Sequence, residues 1–175
     1  KSQAGVEKTG TMPIRFEPTR GLLMEFSGHI ADACWASKYD SIAQQFPNFT
    51  TVTIRQHPEG SSDNLVGAFM LIEAEAEDGG DPLLIIRGLN PRENFINKTD
   101  VGDFYTKTAD YAKELAKKTD RRAAMVIDDH SGGSGTNRPV LYGYLSSVKE
   151  GLSKVIPKGK TEFNGYNIDN TTYLL

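Results

Sequence analysis

The sequence predicts a single α/β domain built on a mixed sheet with helices on both faces, and three observations carry that expectation. Leu65-Val66-Gly67-Ala68-Phe69-Met70-Leu71-Ile72 and Leu83-Leu84-Ile85-Ile86 are apolar runs of strand length. They flank the turn-forming Glu77-Asp78-Gly79-Gly80-Asp81-Pro82, which is the pattern of a β-hairpin. From Phe104 through Tyr105, Thr108, Tyr111, Ala112, Leu115 and Ala116, apolar side chains return every three or four residues, while Lys107, Asp110, Lys113, Glu114, Lys117 and Lys118 take the other face. That periodicity describes a helix lying on a sheet. Ala123-Ala124-Met125-Val126-Ile127 then supplies a short buried strand, ended by Asp128-Asp129-His130 and the glycine-rich Ser131-Gly132-Gly133-Ser134-Gly135.

The remaining elements follow in order. Residues 1–12 are polar and small and read as a flexible arm, with the domain running over 13–175. Ile14-Arg15-Phe16-Glu17 alternates like a half-buried strand, and Leu22 to Phe26 reads as another after the Pro18-Thr19-Arg20-Gly21 turn. Ile30, Ala31, Cys34, Trp35, Ile42 and Phe46 recur near helical spacing up to Pro47, as one helix or two short ones. Thr50 to Arg55 is rich in β-branched residues and makes a three-strand meander with the hairpin, joined through His57 to Asp63. Pro139 suits the first turn of a helix reaching Val148, with Gly151 as its stop. Tyr166 to Leu175 offers a terminal strand or hairpin.

At 175 residues the chain is long enough to bury a core without metal or disulfide. A formal charge of −3 gives no general attraction to nucleic acid or an anionic membrane. The one cysteine, Cys34, excludes an internal disulfide and a clustered thiolate site. No run approaches the roughly 20 apolar residues that span a bilayer; the compartment is left open, with a cytoplasmic setting favoured. The start at Lys1 suggests a fragment or a processed product with neighbouring domains. Asn48-Phe49-Thr50, Asn97-Lys98-Thr99 and Asn170-Thr171-Thr172 match the glycosylation tripeptide, which carries meaning only in a glycosylating compartment.

Several groupings carry chemistry. Arg87, Asn90 and Arg92 follow a buried strand closely enough to converge on a carboxylate or phosphate, the alternative being a turn with solvated arginines. Glu73 and Glu75 alternate along a strand, share a face, and offer a general base for an amine, or else a charged strand edge. Cys34 with His29, His57 or His130, oriented by Asp63, Asp128 or Asp129, would make a cysteine-nucleophile hydrolase, whereas Cys34 on an apolar stripe reads as buried and inert. No two histidines share a metal-ligand spacing, so no metal is expected. Asp128-Asp129-His130 before the glycine-rich loop is a candidate binding corner.

Asn64-Leu65-Val66-Gly67-Ala68-Phe69, Leu83-Leu84-Ile85-Ile86 before a polar loop and long helix, and Asn137 followed by Leu141-Tyr142-Gly143-Tyr144 resemble segments of the Gcn5-related N-acyltransferase superfamily. The resemblance covers about Ile14 to Tyr173 and lies in element order more than in motif. It implies transfer of an acyl group from acetyl-CoA or another acyl-CoA to a primary amine on a small molecule or protein. Glu73 or Glu75 would then take the amine proton and Tyr144 would protonate the leaving thiolate. Ile86, Arg87, Gly88, Lys98, Gly102 and Asn137 would hold the cofactor, with strands four and five splaying to admit the pantetheine chain. The family's phosphate loop is not matched, and Asp100 and Asp103 stand where its anion would sit. A second expectation is therefore a non-catalytic binding or interaction module on the same fold.

Overall fold

A computed structural model describes residues 13–19, 22–38, 45–57, 64–163 and 165–175. Its sheet runs β1-β2-β3-β4-β5-β7, with strands β1 (Ile14–Thr19), β2 (Phe49–Gln56), β3 (Asn64–Ala76), β4 (Leu83–Pro91), β5 (Arg122–Val126) and β7 (Thr172–Leu174). The short β6 (Pro157–Lys158) pairs the far end of β3. Neighbours are antiparallel except β4 and β5, which pair in parallel from Leu83↔Arg122 to Ile86↔Met125. The expected meander is β2-β3-β4. Both central strands are nearly continuous hydrophobic runs because the sheet is covered on both faces.

One face carries Phe69, Leu71, Leu84 and Ile86 against helix α4 (Val101–Lys118) and helix α5 (Pro139–Val148). Phe104, Thr108, Ala112 and Ala116 of α4 are buried at the spacing the sequence shows. Asp100 caps α4 by accepting from the Asp103 N–H at 2.8 Å, and Lys117 and Lys118 close the opposite end, where cations suit the helix dipole. The other face packs Ala68, Met70, Ile72 and Ile85 against Met24, Trp35, Phe46 and Phe163. Helix α3 (Glu93–Ile96) bridges β4 to α4. Among the described residues, no helix is long and apolar enough to cross a membrane.

One expectation is corrected and two open ones are decided. Leu22 to Phe26 is not a strand: Leu22–Glu25 forms a helical turn, α1, since Leu, Met and Glu are good helix formers and the strand reading rested on apolar character alone. Of the one helix or two short ones expected from Ile30 to Phe46, the described residues show short pieces, and 39–44 with Ile42 lie outside them. Helix α2 (Ser27–Ala31) stops where Asp32 turns left-handed (φ 50°), and Cys34–Lys38 continues as a 3-10 turn. Of the terminal strand or hairpin expected over Tyr166 to Leu175, the structure has the strand, Thr172–Leu174, paired with β5. The expected arm over 1–12, and Asp63 with most of its turn, lie outside the described residues.

The turn after β3 is tied to the start of β5 by a fork. Arg122 donates to both oxygens of Asp78, at 2.7 and 2.8 Å, and to the Asp81 carbonyl at 2.9 Å. The fork lowers the Asp78 carboxyl from 3.8 to about 2. A carboxyl depressed in the folded state stabilises it fully above the unfolded value, and that contribution disappears as pH falls from about 4 through about 2. Wild-type melting temperature should therefore converge on that of Asp78→Asn across this interval; parallel curves would show that the fork contributes nothing.

Candidate functional site

Beyond Ile86 and Met125 the parallel strands part, and the structure puts the chain itself in the gap. Gly88 takes φ +63° at a bulge, where β3 pairs Met70 with Arg87 and then Ala68 with Asn90. A Cβ on Gly88 would stand 2.8 Å from the Trp35 ring, so only glycine admits that close approach. The Gly88 and Leu89 N–H groups, freed by the bulge, donate to the carbonyls of Ser134 and Gly135 at 2.8 and 2.7 Å. The glycine-rich segment after β5 is thus a strap lying along β4. Buried Asp128 anchors it, accepting from Ser134 Oγ at 3.1 Å and from the Gly135 N–H. Asn90 anchors its exit, its Oδ1 accepting from Asn137 N–H at 2.9 Å and Thr136 Oγ1 at 3.2 Å.

Arg138, buried where the strap enters α5, donates to the carbonyls of Pro91 and Ala31 and to Asn137 Oδ1, stapling α2, β4 and α5 together. Between strap, β4 and the 3-10 turn lies a cavity of about 160 Å³. Trp35, Met70, Phe163 and Tyr166 form its apolar walls, and Arg87, Asn90, Ser134 and Asn137 its polar ones. Arg87, 3% exposed, crosses the floor and donates to the carbonyls of Thr161, Phe163 (2.6 Å) and Tyr166 (3.1 Å), with its guanidinium over the Phe163 ring. Burial pushes it down to about 10, which leaves it cationic at neutral pH. Exposed Cys34 borders the same cavity and interacts electrostatically with Arg87.

Of the residues singled out in the sequence, Cys34, Arg87, Gly88, Asn90 and Asn137 come together here, with Cys34 exposed rather than buried. Ile86 is fully buried on the opposite face. Glu73 and Glu75 lie inside β3 rather than beyond it. Glu73 shares the Leu71 and Leu84 face, opposite the cavity, and pairs with Arg121 at 3.1 Å. Its sheet partner is Leu84, three residues and roughly 10 Å along β4 from Arg87. Glu75 is exposed beside Lys158. Tyr144 packs against Tyr105 (5.5 Å) on the helical face, its hydroxyl against Gly102, so those two meet each other but not the cavity. Lys98 is exposed in the turn before α4. Arg92 turns away, its Nε donating to the Ile30 carbonyl at 3.1 Å.

None of His29, His57 or His130 lines the cavity that Cys34 borders. Among the described residues no three His, Cys, Asp or Glu side chains are grouped to hold a metal. The sequence pointed to the Asp128 corner but gave no sign of Trp35, Met70, Phe163 or Tyr166 as walls, because their apolar spacing is that of core. No family model matches this chain, and no curated protein or solved structure matches it either.

Proposed function

We propose that this chain is a binding module on an acyltransferase-like α/β fold, holding a small molecule in the cavity beside Arg87 rather than carrying out acyl transfer. The observation that supports this reading is the strap. Gly88 and Leu89 N–H, the groups a pantetheine chain would need between β4 and β5, donate to Ser134 and Gly135 instead. Helix α4 argues the same way, since its first turn is occupied by Asp100 and by Asp103, which pairs with Lys107 at 3.1 Å.

Acyl transfer from acyl-CoA to an amine is the second reading. It is favoured by one observation, the parallel β4–β5 pair that parts beyond Ile86 and Met125. The two separate in a thermal-shift titration with acetyl-CoA and desulfo-CoA. The binding module is expected to show no shift at millimolar ligand. A saturable rise, worth roughly 2.7 kcal/mol at 100 times the dissociation constant, would overturn it in favour of acyl transfer.

A further inference from the structure

We propose that the cavity binds a small organic acid, its carboxylate held by Asn90 and Arg87 and its apolar arm laid against Trp35 and Phe163. The proposal rests on the binding-module reading and names the ligand class of that same site. Asn90 is 3% exposed. Its side-chain oxygen is fixed as an acceptor, because a backbone N–H, that of Asn137, donates to it. Its NH2 is therefore a committed donor, and no described atom accepts from it, although the residue borders the cavity. It is not sealed in the protein interior either, so the ligand space is what remains for it.

Arg87 adds charge to the same place. Its Nη1 and Nη2 are taken by three neutral carbonyls, while Nε donates to no described atom. No described carboxylate lies within ion-pair distance of this guanidinium. Asp128, the strongest anionic influence on it, has its oxygens engaged by the Gly135 N–H and Ser134 Oγ. A buried cation, a donor without an acceptor and aromatic walls together select an anion with an apolar body over a neutral molecule or a cation. The volume of about 160 Å³ limits that body to one ring or a short branched chain, since a cavity of roughly 150 Å³ holds benzene.

Trp35 is the chain's one tryptophan and a wall of the cavity, so its emission reports on the site. Phenylacetate is expected to change that emission saturably and to bind about ten-fold tighter than phenylacetamide, the effect of one charge-assisted hydrogen bond, with benzylamine weakest. Asn90→Asp keeps the acceptor for Asn137 and Thr136 but replaces the donor by a carboxylate oxygen, and should reverse the preference towards phenylacetamide. The wild-type comparison decides the question even where that variant fails to fold. A peptide ending in phenylalanine that binds tighter than phenylacetate would assign the carboxylate to a chain terminus; weaker binding keeps it a free acid. Phenylacetamide or benzylamine binding wild type as tightly as phenylacetate overturns the acid and leaves a small-molecule site. No response to any of these probes at about 10 mM, a concentration that reveals even millimolar affinity, overturns the binding-module reading as well.

Discussion

Replacing Arg87 by methionine is expected to lower the melting temperature by roughly 10 °C, from a loss of about 4 kcal/mol spread over a chain of this length. The guanidinium is the shared donor for the carbonyls of Thr161, Phe163 and Tyr166, which belong to a segment with little regular structure of its own. Methionine matches the length and apolar stem but donates nothing, so those carbonyls lose a charge-assisted partner at once. Relief from burying a charge offsets part of the loss. It cannot offset all of it, because three carbonyls lose their donor together. Thermal or urea unfolding measures the effect. A shift below about 3 °C, less than 2 kcal/mol on the same scale, would mean that the C-terminal segment is held by Phe163 and Ile168 packing rather than by Arg87.

Gly135→Val is expected to cost about 3 kcal/mol and to dislodge the strap. A Cβ at this position would lie 2.8 Å from the Val126 carbonyl and 3.0 Å from Asp128 Oδ2. The first of these is strand backbone and cannot yield, so the strap must move outward. The Gly88 and Leu89 N–H groups then lose their acceptors, and Asp128 loses the Gly135 N–H. Amide hydrogen exchange gives a local reading: these two amides should exchange about ten-fold faster or more once one hydrogen bond's worth of protection is gone. Retained protection with an unchanged melting temperature would show that the strap does not depend on close approach at Gly135. If acyl-CoA affinity exists in this fold, this variant is also where it should emerge, since the β4–β5 gap is what the strap closes.

The particular residues explain why some of this was legible beforehand. Phe104, Thr108, Ala112 and Ala116 repeat at a helical period, and the long hydrophobic runs of β3 and β4 are bounded by turn residues. These signals are local, and burial of one face enforces them wherever the chain sits. The same alternation put Glu73 and Glu75 on a shared face, yet it contains nothing about which face meets a cavity. That was fixed by α4 and α5 covering one side of the sheet and by Trp35 and Phe163 covering the other. Leu22 to Phe26 is ambiguous as sequence because a short apolar run fits either period.

By itself, then, the sequence determined the sheet-and-helix architecture, the meander, the long helix and the polar density at the end of β4. Only the tertiary structure decided the site. Its walls come from residues near 35, 70, 87, 134 and 163, brought together by sheet order and by Arg87 and Arg138 reaching across to distant carbonyls. The strap's place in the β4–β5 gap was equally invisible, because hydrogen bonds between segments more than 40 residues apart leave no period in the chain.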